Sequence, residues 1–141
     1  MSNANFQPKI VAFCCENSGF LAAELAREMK LNYPGNLEIV KLPCSGKLDV
    51  IYFLKALEKG ADGAIVLVCQ KENCKFLRGN VRAAQRVGQT QRLLKEVGIE
   101  PDRVAIGYLA ANMGPEFVEL VQNLYEKVRE LGPNPGKVIK K

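Results

Sequence analysis

Residues 60–69 read Gly-Ala-Asp-Gly-Ala-Ile-Val-Leu-Val-Cys, a turn followed at once by the apolar run Ala64 to Cys69. A short β-branched run of this kind predicts a strand, and the lack of polar alternation predicts one covered on both faces. Doubly covered strands belong to parallel sheets, whose crossovers are helices. This stretch therefore decides the fold class, provided that its neighbours supply further strands and crossovers.

They do. Upstream, residues 49–59 predict a helix capped by Asp49, with Ile51, Leu54 and Leu57 on one face. Before it stand two strand patterns, residues 9–14 (KIVAFC) and 37–42 (LEIVKL). An amphipathic helix over residues 19–31, using Leu21, Leu25 and Met29, and a turn at 33–36 lie between those strands. Downstream, a loop over 70–79 leads to a basic helix over 80–97 that Gly98 closes. Pro101 and Asp102 open a fourth strand over 103–109. The last helix begins near Pro115, a favoured first-turn position, and buries Phe117, Leu120, Val121, Leu124 and Val128. Four strand–helix units predict an α/β fold: a single doubly wound, flavodoxin-like domain with a parallel sheet in the order 2-1-3-4. The expected domain covers residues 9–132, between an N-terminal arm (1–8) and a tail (133–141) without periodicity.

At 141 residues the chain has the length of one domain with an ordinary core. Its 48% hydrophobic and 25% charged residues exclude disordered and fibrous classes. Its apolar runs are too short to cross a bilayer, and residues 1–8 lack the features of a secretion signal. The expectation is a cytoplasmic protein with no membrane partner. The net charge is +5, and Lys71, Lys75, Arg78, Arg82 and Arg86 form the densest basic stretch. Single-strand nucleic-acid binding wants aromatic stacking platforms among such charges, and here only Phe76 is present. The stretch is read as a solvated face or a docking surface for an acidic protein, with no nucleic-acid partner.

The chain has five cysteines and no histidine. Lack of histidine excludes Ser-His and Cys-His catalytic pairs within the chain. Cys14 and Cys15 end the first strand, Cys44 follows the second, Cys69 ends the third, and Cys74 lies in the loop after it. Under the order 2-1-3 these strands are neighbours, roughly 5 Å apart. All five cysteines then collect at the C-terminal edge, where open parallel sheets bind ligands. Cys14 and Cys15 are adjacent, so their side chains leave in opposite directions and one of the two serves as a ligand. The expected set is Cys44, Cys69 and Cys74 with Cys14 or Cys15. Four thiolates suit zinc or an iron–sulfur cluster, and the scatter over three strand ends leans towards a cluster. Burial as small hydrophobes is the bland alternative.

The segments IVAFCC (10–15), CSGKLD (44–49), EKGADGAIVLVC (58–69) with Cys74, and GIEPDRV (98–104) resemble the delta-subunit family of methyl-viologen-reducing hydrogenases. The resemblance runs from about residue 8 to residue 133. It implies a [2Fe–2S] cluster in a flavodoxin-like fold. It also implies electron transfer between an oxidoreductase, a [NiFe] hydrogenase or formate dehydrogenase, and the flavin-containing subunit of heterodisulfide-reductase-like complexes. Two positions depart from the family. Ser18 stands where C-C-x-x-C would place a third cysteine, and Gln70 stands where a histidine often follows the third strand's cysteine. Ser18 is also well placed to cap the first helix.

Other readings follow from the same residues. Residues 11–24 are similar to the nucleophile loop of low-molecular-weight tyrosine phosphatases and arsenate reductases. The arginine such a loop needs six positions on is Phe20 counted from Cys14 and Leu21 counted from Cys15. A flavin site lacks its Ser/Thr-rich phosphate loop after the first strand. A cluster-free structural adaptor in the same kind of complex is the remaining alternative. Val138 and Ile139 in the tail suggest a segment that orders on a larger subunit.

Overall fold

The computed structural model describes residues 6–16, 18–33, 36–42, 49–68 and 79–135. Four parallel strands, β1 (Ile10–Cys15), β2 (Leu37–Leu42), β3 (Gly63–Val68) and β4 (Val104–Tyr108), form one sheet in the order β2-β1-β3-β4. The helices are α1 (Gly19–Glu28), α2 (Val50–Glu58), α3 (Gly79–Glu96) and α4 (Gly114–Leu131), with a 3-10 turn at Pro101–Arg103. This is the flavodoxin-like α/β architecture that residues 60–69 predict. The central strands β1 and β3 are buried along their whole length, as their unbroken apolar sequences require.

Two cores lie on opposite faces of the sheet. Ile10, Ala12 and Cys14 of β1 and Ile65 and Leu67 of β3 pack with α1 and α4. Val11 and Phe13 of β1 and Ala64, Val66 and Val68 of β3 pack with α2 and α3. The period-two alternation of strand side chains thus assigns Ile10 to Cys14 of β1 to one layer or the other in turn.

The helix faces differ from those predicted. In α1 the buried residues are Gly19, Ala22, Ala23 and Ala26, whereas Leu21 is 42% and Met29 50% exposed. Small residues let the helix backbone sit close to the sheet, and that close approach outweighs the larger side chains on the other face. A β-carbon on Gly19 would stand 2.7 Å from the Leu67 carbonyl oxygen. In α2, Phe53 and Leu57 are buried and Ile51 is exposed. Phe53 takes the inward place because its ring packs edge-on against Phe13, with centroids 5.5 Å apart. Helix α4 buries Phe117, Val121, Leu124 and Val128 as expected, with Leu120 partly buried. No described helix is long and apolar enough to cross a membrane.

A polar knot joins the N-terminal ends of β1 and β3 to the chain beyond α4. Arg103 is fully buried. Its Nε donates to Glu100 Oε1 at 2.7 Å, Nη1 to the Asp62 carbonyl at 3.0 Å, and Nη2 to the Gly132 carbonyl at 2.8 Å and that of Pro133 at 3.2 Å. Asp62 accepts from the Lys9 amide through Oδ2 and from the Asn134 amide through Oδ1. The Asn134 side-chain amide donates to the carbonyls of Leu57 and Ala61. The chain therefore remains bound to the domain through Asn134.

Candidate functional site

At the opposite edge, the C-terminal ends of the strands stand nearly level. Cys15 of β1 is in register with Leu42, the last residue of β2. Cys14 pairs with Leu67, one residue before the end of β3. The Glu16 amide extends the ladder by donating to the Leu42 carbonyl at 2.7 Å. The edge is held together by backbone bonds up to the point where the strands stop.

The two adjacent cysteines face different layers. Cys14 is fully buried in the α1/α4 core with Ile10, Ala12 and Leu67, and its Sγ lies 3.8 Å from the Ala12 carbonyl oxygen. Burial, with a smaller contribution from neighbouring Cys15, pushes its thiol pKa up to about 12. Cys14 has the surroundings of a small core hydrophobe. Cys15 has the strand parity of Phe13, whose side chain packs on the α2 face. It is 2% exposed. The ring of Phe13 lies near those of Tyr52 and Phe53 in the first turn of α2, which closes that face beside the strand end.

Helix α1 starts at the same edge. The Ser18 amide donates to the Cys15 carbonyl at 3.2 Å, closing a tight turn, and the Ser18 carbonyl accepts from Ala22 at 2.9 Å. Ser18 occupies the N-cap position, as predicted, but its hydroxyl makes no capping hydrogen bond. The first turns of α1, α2 and α3 contain no acidic residue. Helix N-termini carry partial positive charge; the first turns add no acidic side chain to offset it, although α2 has Asp49 at its N-cap position, without a side-chain cap hydrogen bond.

Cys44, Cys69 and Cys74, together with Lys47, Gln70, Lys71, Lys75, Arg78 and tail residues 136–141, lie outside the described residues. Among the described residues no three His, Cys, Asp or Glu side chains gather in a way that could hold a metal ion. Sequence reasoning missed the Ala22, Ala23 and Ala26 contact face and the buried Arg103. The small residues at helical spacing were the available signal for the first. Nothing local distinguishes Arg103 from a surface arginine, since its acceptors come from residues 62, 132 and 133.

Comparison with known proteins now bears on this geometry. The chain is 42% identical over 130 residues to the iron-sulfur subunit of the vhu F420-non-reducing hydrogenase of Methanocaldococcus jannaschii, covering 92% of this chain and 97% of that one. It is 39% identical over 124 residues to the protein of the same name from Methanopyrus kandleri, covering 88% and 94%. It is also 29% identical over 126 residues to one subunit of the ferredoxin:CoB-CoM heterodisulfide reductase of Methanosarcina mazei, covering 89% of this chain but 16% of that much longer one. The sequence profile described as methyl-viologen-reducing hydrogenase, delta subunit, matches residues 10–132. The flavodoxin-like sheet, the paired cysteines that end its central strand and a match spanning nearly the whole domain place this chain in the methyl-viologen-reducing hydrogenase delta-subunit family.

Proposed function

We propose that this chain is an electron-transfer subunit that holds one [2Fe–2S] cluster through Cys15, Cys44, Cys69 and Cys74. The observation that carries the reading is the level ending of β2, β1 and β3. Cys15 stands opposite Leu42 in the register, Cys44 follows Leu42 by two residues, and Cys69 is the residue after Val68. Cys74 is five residues beyond Cys69, within about 17 Å of it along even a fully extended chain. Four thiolates and no histidine are the donor set of an all-cysteine cluster. Cys14 is the cysteine left over, because its side chain is committed to the other core.

The group supplies one-electron transfer when bound; the chain's contribution is binding and tuning. The N–H groups opening the helices at this edge favour negative charge nearby; no first-turn carboxylate of α1 or α3 opposes them, while α2 carries Asp49 at its N-cap. Buried Cys15 keeps its own part of the site away from water. The names of the hydrogenase relatives as iron-sulfur proteins support the cluster, and the stretch shared with a heterodisulfide reductase chain supports a partner of that kind. The proposed donor is a hydrogenase, formate dehydrogenase or other oxidoreductase subunit. The proposed acceptor is a flavin-containing heterodisulfide-reductase-like subunit.

The test is metal analysis of protein purified anaerobically, with EPR of the dithionite-reduced sample. About two iron and two sulfide per chain are expected, as for any [2Fe–2S] centre. Zinc without sulfide, or folded protein without metal, overturns the reading. The second outcome favours a structural adaptor.

A further inference from the structure

The surface of α3 differs in charge from the rest of the domain. From Gly79 to Lys95 the helix carries Arg82, Arg86, Arg92 and Lys95 and no acidic residue. Arg82, Arg92 and Lys95 are exposed, and Arg86 is half-buried. The ion pairs of the described residues lie elsewhere, as Lys9–Glu38, Arg27–Glu24, Arg103–Glu100 and Lys127–Asp102. None of the four α3 cations has an ionic partner among the described residues, and Arg86 Nε is buried without a hydrogen-bond partner. A basic face free of acids is complementary to an acidic surface and repels another copy of itself.

A glycine on the same face points to close contact with another molecule. Ala83, Val87, Thr90 and Leu94 turn towards the core and are buried. Away from them an open groove of about 620 Å³ runs along Val81, Ala84, Gln85, Gly88, Gln89 and Arg92. Glycine inside a helix weakens it relative to alanine. Gly19 and Gly107 have a reason within the fold, since a β-carbon on either would meet a neighbour at 2.7 Å. Gly88 has no such reason. It is not among the glycines with positive φ, and an added β-carbon would meet only Arg92 Nη1, at 3.8 Å. The fold thus leaves the space over Gly88 open. Val81 to Arg92 spans about 16 Å of helix, the length of about three turns of a second helix. Small residues at 84 and 88, four apart, let the backbone of such a helix come close. The helix carries no aromatic residue, so it lacks the stacking platforms of a single-strand nucleic-acid site.

We propose that the outer face of α3 docks an acidic helix of a partner subunit, whose Asp and Glu side chains pair with Arg82, Arg92 and Lys95 and whose backbone approaches over Gly88. The inference rests on the reading of this chain as a subunit that exchanges electrons with other proteins, and it names the surface that joins one of them. Helix α3 connects the C-terminal end of β3 to the N-terminal end of β4, so it runs antiparallel to the strands. Its first turns are those nearest the edge where β1 ends in Cys15, and a partner lying along α3 reaches that edge.

The experiment uses the full-length chain, tagged and recovered anaerobically from gently lysed native cells. The recovered complex is treated with a carbodiimide, which joins a lysine amine to a carboxylate with loss of water, and the linked peptides are mapped by mass spectrometry. Lys95 should be joined to an Asp or Glu in a helix of another subunit. Arg82→Glu combined with Arg92→Glu should lower the partner recovered by about tenfold, as reversal of complementary interface charges does, with the fold unchanged by circular dichroism. Gly88→Gln should lower it similarly, while the urea midpoint of the isolated chain stays the same or rises, because the added side chain enters open space. Recovery equal to wild type in both variants overturns the α3 surface and leaves the electron-transfer reading standing. A lower urea midpoint for Gly88→Gln means that the glycine serves the fold, and overturns its role in docking. Lys95 linked only within this chain or to a second copy overturns the partner assigned, and loss of binding after nuclease treatment overturns it in favour of a nucleic acid. Wild-type chain recovered only as a free monomer overturns both the inference and the reading on which it rests.

Discussion

Gly19 and Leu67 are in direct backbone contact: a β-carbon on the glycine would lie 2.7 Å from the leucine carbonyl oxygen and 2.8 Å from its Cβ. The neighbour is strand backbone in the middle of the sheet and cannot move aside cheaply. Gly19→Ala should therefore lift the start of α1 from β3 and destabilise the protein by about 2 kcal/mol, typical of overpacking. Urea denaturation measures this. A variant as stable as the wild type would mean that the helix start is not packed as described.

The two neighbouring cysteines should behave as different chemical species. Cys14→Ala should retain the proposed cluster with some loss of stability, whereas Cys15→Ala should lose it or alter its spectrum grossly. The reason is orientation: Cys14 belongs to the α1/α4 core, and Cys15 has the parity of the opposite face at the strand end. Iron content and the EPR spectrum of each variant decide the matter, and a reversed result would reassign the ligand.

Cys14 also makes an alkaline prediction. Its folded pKa, pushed up to about 12 mainly by burial, lies above that of an unfolded thiol, near 8.5. Between those values the unfolded chain has lost a proton that the native chain keeps. The stabilisation is complete below the unfolded pKa and is lost as pH rises towards 12, at up to about 1.4 kcal/mol per pH unit. Denaturant midpoints of the cluster-free protein between pH 8 and 11 should fall more steeply than those of Cys14→Ala.

Removing the buried guanidinium should be among the most damaging single changes. Arg103→Ala leaves the carbonyls of Asp62, Gly132 and Pro133 without this donor inside the protein. A loss of about 3 kcal/mol is expected, the scale of breaking a buried charged network. Arg103→Lys should recover little, since an ammonium cannot span the same fork. Its partner Glu100 adds an acid-side effect. Burial works to raise the Glu100 carboxyl, but the hydrogen bond and charge of Arg103 outweigh it and hold the pKa below the usual carboxylate range. That stabilisation is present above the unfolded pKa and fades as pH falls through the folded one, so the stability difference between wild type and Arg103→Ala should narrow in acid.

In protein without the proposed cluster, Ser18→Ala should be neutral or stabilising by about 1 kcal/mol. A capping serine would show the opposite sign, but this hydroxyl makes no cap bond and is buried without a partner. Thermal or urea unfolding of the two cluster-free proteins is sufficient to check it. Clear destabilisation would mean that the hydroxyl already has a protein partner.

The order of the sheet is legible in the chain itself, because it rests on local and periodic features. Residues 64–68 are uniformly apolar, strands alternate with helices, and right-handed crossovers leave few topologies for four units. The expectation that the cysteines collect at one edge follows from that order, since a parallel sheet brings all strand C-termini to the same side; Cys14 and Cys15 are the two of them among the described residues. Which way each side chain points is not legible to the same degree. That Cys14 and Cys15 face apart is a property of the extended backbone. That Cys14 is the one in the same core as Ala22, Ala23 and Ala26 depends on which layer α1 joins. The burial of those alanines in place of Leu21 and Met29 depends likewise on a contact between Gly19 and Leu67, residues 48 positions apart in the chain. Ser18 shows the same division. Its N-cap position can be read from the sequence, but the burial of its hydroxyl without a hydrogen-bond partner is a tertiary outcome that no local pattern encodes.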